Sequence, residues 1–388
     1  MAQRQKRTFG VGLLGTGFMG RAHANAWLST GRFFDLPRRV ERVACASRDG
    51  AQADAFARQW DWQRGTADYH DLLADDSVDL IDVCTPNNLH ASMSIEALQA
   101  GKHVACEKPL AATLADAKKM KDAAAKAKKK GIHSFVWFNY RRVPAVAFAH
   151  QLLKKGKLGR IFHVRACYLQ DWGHGQTPLV WRFDAKQAGT GAHGDLNAHI
   201  IDMTRFILGD EIREVVGAIE ERFIDRRSLP GGKKTGKSTV DDCVLFLARF
   251  ARGAVASFEA TRLATGNLNR NTVEINGEKG SIKFDFERMN ELQWWDHTLP
   301  TAMQGWSRIM CTNAGDHPYI DAYWPPAHGL GYEHAFVSQA ADMVKAIAGK
   351  KIVVPLPDFA DAYETQRVLE AALISAREGC TVPLSKVR

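Results

Sequence analysis

Three residues have the types and the setting to move a proton away from a hydroxyl. Lys108 follows the apolar run VAC and Glu107, and precedes a proline, in CEKPLA (106–111). Proline disfavours the helical region for the residue before it, so Lys108 is expected to be extended, its cation fixed at the end of a strand. Asp195 and His199 lie four residues apart in GTGAHGDLNAHIID (189–202), a spacing that puts both on one face of a helix. An imidazole that titrates near neutrality suits removal of a hydroxyl proton. A fixed ammonium suits stabilisation of the alkoxide that develops as the proton leaves. Asp195 would orient the hydroxyl and tune the lysine. Hydride transfer from a secondary alcohol requires such a set. Two plainer roles stay open on these residues alone, Asp195 as a helix cap and His199 as a satisfied core histidine.

A hydride needs an acceptor, and GTGFMG offers a place for one. Gly15, Gly17 and Gly20 have the GxGxxG spacing, with Phe18 and Met19 between them, after a strand and at the start of the helix FMGRAHANAWL. The glycines permit a tight turn and close backbone approach, and the helix N-terminus attracts a pyrophosphate. The second strand ends in VACASRDG, placing Ser47 and Arg48 where a ribose is read, with Asp49 just beyond. A small hydroxyl followed by an arginine suits a 2'-phosphate, so NADP is favoured, and Asp49 keeps NAD as the alternative. CTPNNLHA (84–91) ends another strand at the same edge, where Thr85, Pro86, Asn87 and His90 are expected to line the dinucleotide. For His90 a purely structural role is equally open. Glu107, Lys108 and Arg182 complete the expected cofactor contacts.

The elements that must hold these residues follow from periodicity. To about residue 140 short apolar strands (TFGVGLL, VERVACAS, VDLIDVCTP, KHVACEKP, IHSFVWFNY) alternate with helical stretches such as SMSIEALQAG and LADAKKMKDAAAKAKKKG. Near-continuous apolar strands and this alternation predict an α/β, doubly wound parallel sheet of the Rossmann kind. Beyond about 145 the rhythm changes. The helices AVAFAHQLLKKG and LNAHIIDMTRFILG flank the strand IFHVRACYL. Five more strands then follow, IREVVGAIEERF, DDCVLFLARF, GAVASFEATR, NTVEING and GSIKFDFE. Short glycine turns between several of them predict a large, mainly antiparallel open sheet in an α+β domain. Residues 1–140 are thus read as the dinucleotide-binding domain and 141–388 as the substrate and oligomerisation domain. The stretch 226–238 reads as a flexible loop. The aromatic stretch 293–332 has few periodic segments and reads as a long loop, with two helices starting near 333 and 359 to close the chain.

Composition excludes several classes. With 388 residues, 45% apolar and 24% charged, the chain is globular and large enough for two domains. No apolar run approaches membrane-spanning length. The basic, then apolar, N-terminus runs straight into the glycine fingerprint, so it is read as no leader and the protein as cytoplasmic. Seven scattered cysteines without a CxxC pair fit reduced thiols. The net charge of +9 has its densest run at 117–131, where lysines and alanines alternate at helical spacing; this is a solvated helix face, and no nucleic-acid partner is expected. His297, His317 and His328 are irregularly spaced, and no metal is expected.

The combination of the glycine fingerprint, EKP, and GDLNAH followed by IID resembles the Gfo/Idh/MocA oxidoreductases over essentially the whole chain. That resemblance implies an NAD(P)-dependent dehydrogenase of sugars or cyclitols. The family's lysine falls on Lys108 and its Asp-x-x-x-His pair on Asp195 and His199. Stretches such as FNYRRVPAVA (138–147), YLQDW (168–172), WRF (181–183) and ERMNELQ (287–293) are similar to the family's anhydrosugar- and inositol-oxidising members. They imply a pyranose-like sugar, anhydrosugar, glycoside or cyclitol, with carbon 3 as the candidate position. His193 and the segment 294–332 depart from the family pattern. In the substrate half Tyr140, Arg141 and Trp172 are expected to join Lys108, Asp195 and His199, with Asn139, Asp171 and Trp181 close by. Two competing readings are a redox-cycling glycosidase on the same fold and a non-catalytic, sugar-sensing regulator. The open sheet predicts a homodimer or homotetramer.

Overall fold

The computed structural model describes residues 8–388 apart from 233, 314 and 316. The basic start of the N-terminal stretch, residues 1–7, lies outside it. The first unit runs β1 (Thr8–Leu14), α1 (Phe18–Phe33), β2 (Arg39–Ala46), α2 (Gly50–Trp60), β3 (Arg64–Thr66) and α3 (His70–Ala74), then β4 (Leu80–Val83), α4 (His90–Gln99), β5 (His103–Cys106), α5 (Leu114–Lys128) and β6 (Ser134–Val136). Its six strands are all parallel, in the order β3-β2-β1-β4-β5-β6. All of β4 and all but the first residue of β1 are buried, as strands covered by helices on both faces must be. The order reverses between β1 and β4, which opens a crevice at the carboxyl ends of those strands.

The apolar stretch after β6 leaves the sheet and turns through a short 3-10 segment, Asn139–Arg142. Proline at the first helical position then starts α6 (Pro144–Lys154). The second unit continues with β7 (Ile161–Leu169), α7 (Ala185–Ala188), α8 (Ala198–Leu208), β8 (Ile212–Glu221), β9 (Arg226–Ser228), β10 (Thr235–Lys237), β11 (Cys243–Phe250) and β12 (Val255–Thr261). It closes with β13 (Arg270–Gly277), β14 (Gly280–Asp285), β15 (Glu291–Asp296), β16 (Trp306–Met310), α9 (Ile320–Tyr323), α10 (Tyr332–Ile347), α11 (Phe359–Glu378) and β17 (Val382–Pro383). Nine strands form one sheet, β16-β15-β14-β13-β7-β12-β11-β8-β17, in which β7 and β12 are the parallel pair. β11 shows why one face is covered and the other open. Val244, Phe246, Ala248 and Phe250 point inward, while Leu245 and Leu247 alternate outward and stay exposed.

Two segments read as loops are partly strands. Within 226–238, β9 and β10 pair antiparallel as a small ribbon. Within 293–332, β15 and β16 form a hairpin that extends the sheet edge. Its cross-strand pair Trp295 and Trp306 meets edge to face at 5.9 Å, and Lys283 lies 4.2 Å from the Trp306 ring centre. Adjacent tryptophans on opposite faces of β15 hide the period-2 alternation that would have revealed the strand. The last helices also reach back across the chain. Gln339 of α10 donates to the Val136 carbonyl at 2.7 Å, and Val136 N–H donates to the Pro357 carbonyl at 2.8 Å. The C-terminal segment therefore braces the first unit as well as the second. No helix among the described residues is long and apolar enough to cross a membrane.

Candidate active site

A cleft of about 1060 Å³ runs from the carboxyl ends of β1, β2 and β4 to the covered face of the nine-stranded sheet. Gly15, Gly17, Phe18 and Met19 line its first end. Gly15 has φ +103°, and a Cβ there would sit 2.8 Å from the Cys84 carbonyl oxygen. Gly20 does not line the cleft; it lets α1 press on the turn, since a Cβ there would lie 2.2 Å from the Gly15 carbonyl oxygen. α1 has no side-chain cap, and nothing lies within 4 Å of where a Cβ on Gly17 would be. Uncapped amides facing open space are an anion cradle, so these residues fit a dinucleotide pyrophosphate. Ser47 and Arg48 line the cleft beside Gln52. Asp49 is turned away, because its carboxylate caps α2, accepting from Ala51 and Gln52 N–H at 2.9 and 3.2 Å.

Thr85, Pro86, Asn87 and His90 border the middle of the cleft. His90 is fully buried, with Nδ1 3.0 Å from the Pro109 carbonyl and Nε2 3.0 Å from that of Thr85. Burial pushes its pKa down. The neutral ring has one N–H and donates to one of these two carbonyls, packed between the loop after β4 and the loop that holds Lys108. Asn87 donates to the Ala188 carbonyl at 2.9 Å and so links the two units across the cleft.

The three expected reactive residues converge at the far end. Lys108 Nζ donates to Asp195 Oδ1 at 2.8 Å and to the Asp195 carbonyl at 2.9 Å. Asp195 sits in a wide helical turn, His193–Asn197, that leads into α8, and its side chain caps nothing. Its Oδ2 accepts from Arg262 at 2.8 Å, and Arg182 Nη1 lies 3.6 Å from Oδ1. Burial opposes its charge, but Lys108, Arg182 and Arg262 together hold the carboxyl well below the usual carboxylate range. His199 is pushed well below the usual imidazole range by burial and, next, by the Lys108 charge. The ring is therefore held in its neutral form. It stacks on Tyr140 at 4.2 Å and borders the cleft, and its Nδ1 is buried without a partner among the described residues.

The same far end is walled by Tyr140, Tyr168, Gln170, Trp172 and Asn269, with Arg182 stacked on Trp181 at 4.5 Å. Comparison with known proteins places this geometry. Residues 9–135 match the oxidoreductase family with an NAD-binding Rossmann fold, and residues 146–283 match the GFO/IDH/MocA C-terminal domain. The chain belongs to the Gfo/Idh/MocA oxidoreductase family. Levoglucosan dehydrogenase of Pseudarthrobacter phenanthrenivorans is 39% identical over 392 residues, covering 97% of this chain and 98% of the relative. An oxidoreductase domain protein from Kribbella flavida superposes with a TM-score of 0.93 at 48% identity, covering 97% and 99% of the two chains. Levoglucosan dehydrogenase in complex with NADH and levoglucosan gives 0.91 at 38% identity, covering 98% and 100%.

Within this Gfo/Idh/MocA chain two further expected site residues are placed elsewhere. Arg141 does not reach the cleft; it is buried in ion pairs with Asp202 of α8 and Asp361 of α11. Arg205 meets the same Asp361 at 2.9 Å, so the pair belongs to a brace between helices. Asp171 also points away, accepting the Gly266 N–H at 3.2 Å. Strand alternation explains this, because Tyr168, Gln170 and Trp172 continue one face of β7 while Asp171 faces the other way. Arg262 and Asn269 were missed. Both lie in the loop between β12 and β13, where periodicity gives no signal; through the sheet's long-range pairing Asn269 reaches the cleft and Arg262 reaches Asp195.

Glu107 lines the cleft but is held from behind. Its Oε2 accepts the Lys108 N–H at 3.1 Å and its Oε1 lies 3.0 Å from His23 Nε2. His23 is fully buried, with Nδ1 3.1 Å from Asp82, which also accepts the indole N–H of Trp27 at 2.6 Å and of Trp137 at 2.8 Å. Burial alone would push this imidazole down, yet Asp82 and Glu107 outweigh it and raise the pKa to about 9. The folded value exceeds the unfolded one, so the stabilisation is complete below about 6.5 and is lost as pH rises through about 9. Its expected size is on the order of 3 kcal/mol. Urea denaturation at two pH values flanking this window should show the loss on the alkaline side, and His23→Gln should shrink the difference. An unchanged difference in the variant would remove His23 as its source.

Proposed function

We propose that the protein is an NAD(P)-dependent dehydrogenase that oxidises a secondary hydroxyl of a pyranose-like sugar, anhydrosugar, glycoside or cyclitol, with carbon 3 as the candidate position. The observation that carries this reading is the convergence of Lys108, Asp195 and a neutral His199 at one end of a cleft whose other end is a phosphate cradle. A nicotinamide bound in the cofactor half supplies the hydride acceptor. His199 Nε2 takes the hydroxyl proton. Lys108 has three N–H donors, and Asp195 occupies two of them, so the third is left for the substrate oxygen as charge develops there. Asp195 fixes the ammonium and is itself kept ionised by Arg182 and Arg262. The exposed Arg48 favours NADP; the relative crystallised with NADH makes NAD the competitor.

The test is reduced-nicotinamide absorbance with NAD or NADP against a panel of anhydrosugars, methyl glycosides and inositols. Signal with a polyol supports the dehydrogenase and decides the cofactor. Free sugar released from a glycoside without net reduction would instead establish the redox-cycling glycosidase. Binding of a sugar with neither reaction would establish the sensor. The exposed outward residues of the large sheet, Ile219, Leu245 and Leu247, support association through that face as a homodimer or homotetramer. Light scattering checks it, and charged substitutions at Leu245 and Leu247 should release monomers.

A further inference from the structure

One wall of the cleft is a continuous chain of side-chain hydrogen bonds, and a single atom fixes its direction. Trp172 Nε1 is 2.6 Å from Gln170 Oε1, and Gln170 Nε2 is 2.9 Å from Asn269 Oδ1. Tyr168 Oη is 2.7 Å from that same Oδ1, and Tyr140 Oη is 3.0 Å from Tyr168 Oη. An indole N–H only donates, so the Gln170 atom facing Trp172 must be its amide oxygen. The Gln170 amide nitrogen then faces Asn269, whose facing atom must accept and is therefore the oxygen. The phenol of Tyr168 gives its one proton to that oxygen. Having none left, Tyr168 can only accept from Tyr140. Burial raises the pKa of both phenols above the usual range, so both protons stay in place.

Two ends of the chain are left facing the cleft. Asn269 Nδ2 makes no hydrogen bond among the described residues, and Asn269 lines the cleft. Tyr140 has spent its proton and offers only lone pairs. From this wall we infer that Asn269 and Tyr140 determine substrate specificity through fixed, opposite polarity. Asn269 donates to a substrate oxygen that need only accept, such as the ether oxygen of a ring or an anhydro bridge, and Tyr140 accepts from a substrate hydroxyl. The inference rests on the sugar-oxidising reading and deepens it. A hydroxyl satisfies either corner, whereas an ether oxygen satisfies only the Asn269 corner. An ether-containing sugar is thus accepted in one orientation only, with its ether oxygen at Asn269 and a free hydroxyl at Tyr140. The commitment of the Tyr140 proton also removes Tyr140 as a proton donor in the reaction.

Gln170→Glu tests this by reversing the chain. The new carboxylate accepts from Trp172 but cannot donate to Asn269, whose amide must turn and present its oxygen to the cleft. Asn269→Asp makes the same corner an acceptor while leaving the rest of the chain in place. Dissociation constants from calorimetry and kcat/KM are compared for anhydrosugars and methyl glycosides, which have ether oxygens, against inositols, which have none. In Asn269→Asp the ether-containing sugars should weaken by about tenfold or more relative to the inositols, because an ether oxygen facing an acceptor leaves both unsatisfied. In Gln170→Glu, where Tyr168 donates to Tyr140 and Tyr140 regains a proton for the cleft, that loss should be smaller. Unchanged cofactor affinity shows that each variant is folded. In Asn269→Asp, equal changes for both sugar classes, or a shift toward the ether-containing sugars, overturn the inference. A parent protein that neither binds nor oxidises any sugar would instead overturn the functional reading on which it rests.

Discussion

Lys108→Ala is expected to lower kcat by about 10²–10³, the usual effect of removing one preorganised donor to a developing oxyanion. The fold should survive. Asp195 keeps Arg262 at 2.8 Å and Arg182 at 3.6 Å, so its buried charge is not orphaned when the ammonium goes. Cofactor affinity should change little, because the phosphate cradle of Gly15, Gly17 and the start of α1 lies at the other end of the cleft. A second signature separates electrostatic catalysis from general damage. The Lys108 charge helps hold His199 below the usual imidazole range. With that charge removed, the His199 pKa must rise, and the acid limb of kcat/KM must move up toward 6.5. Stopped-flow hydride transfer across the acid range reads both effects. A variant with a reduced rate but an unmoved acid limb would mean that Lys108 acts only by shaping the loop.

The placement of the candidate site residues was legible in the sequence where local rules govern it, and hidden where long-range pairing does. The X-Pro rule placed Lys108 at a strand end, and the i,i+4 spacing placed Asp195 with His199; in the folded chain Lys108 and Asp195 meet at 2.8 Å. The glycine fingerprint was legible because it joins a strand to a helix, a purely local arrangement. Arg141 misled because a buried arginine and a site arginine look identical in one dimension. Only the folded chain shows that Asp202 and Asp361 neutralise it. Arg262 and Asn269 were invisible for the opposite reason. β12 and β13 flank β7, and that pairing carries the loop between them, together with β7's Tyr168 and Gln170, to one wall. No spacing along the chain encodes that. The hairpin of β15 and β16 was concealed by its own tryptophans, whose apolar bulk on both faces erased the alternation.

His199→Ala should cost about 10²–10⁴ in kcat, the range expected for a general base in the transition state. The substitution also removes the ring stacked on Tyr140, so loss of rate alone does not distinguish a base from a packing residue. Two further readouts do. The variant has an imidazole-sized vacancy beside the substrate oxygen, and free imidazole in the buffer should restore part of the turnover with a dependence on its neutral form. A packing role would give no such rescue. The second readout is the parent's own pH profile. Because burial and Lys108 keep His199 neutral, its acid limb must lie below 6.5, whereas an ordinary imidazole would lose activity through that value. The same depression affects stability with a definite sign. The unfolded ring gains a proton near 6.5 while the buried one does not, so this group's contribution is present above that pH and is lost as pH falls. Activity and folded fraction must therefore be followed together in the acid range. If kcat/KM declines with an apparent pKa near 6.5 while the protein stays folded, the proton leaves to some group other than His199, and the assignment of the base fails.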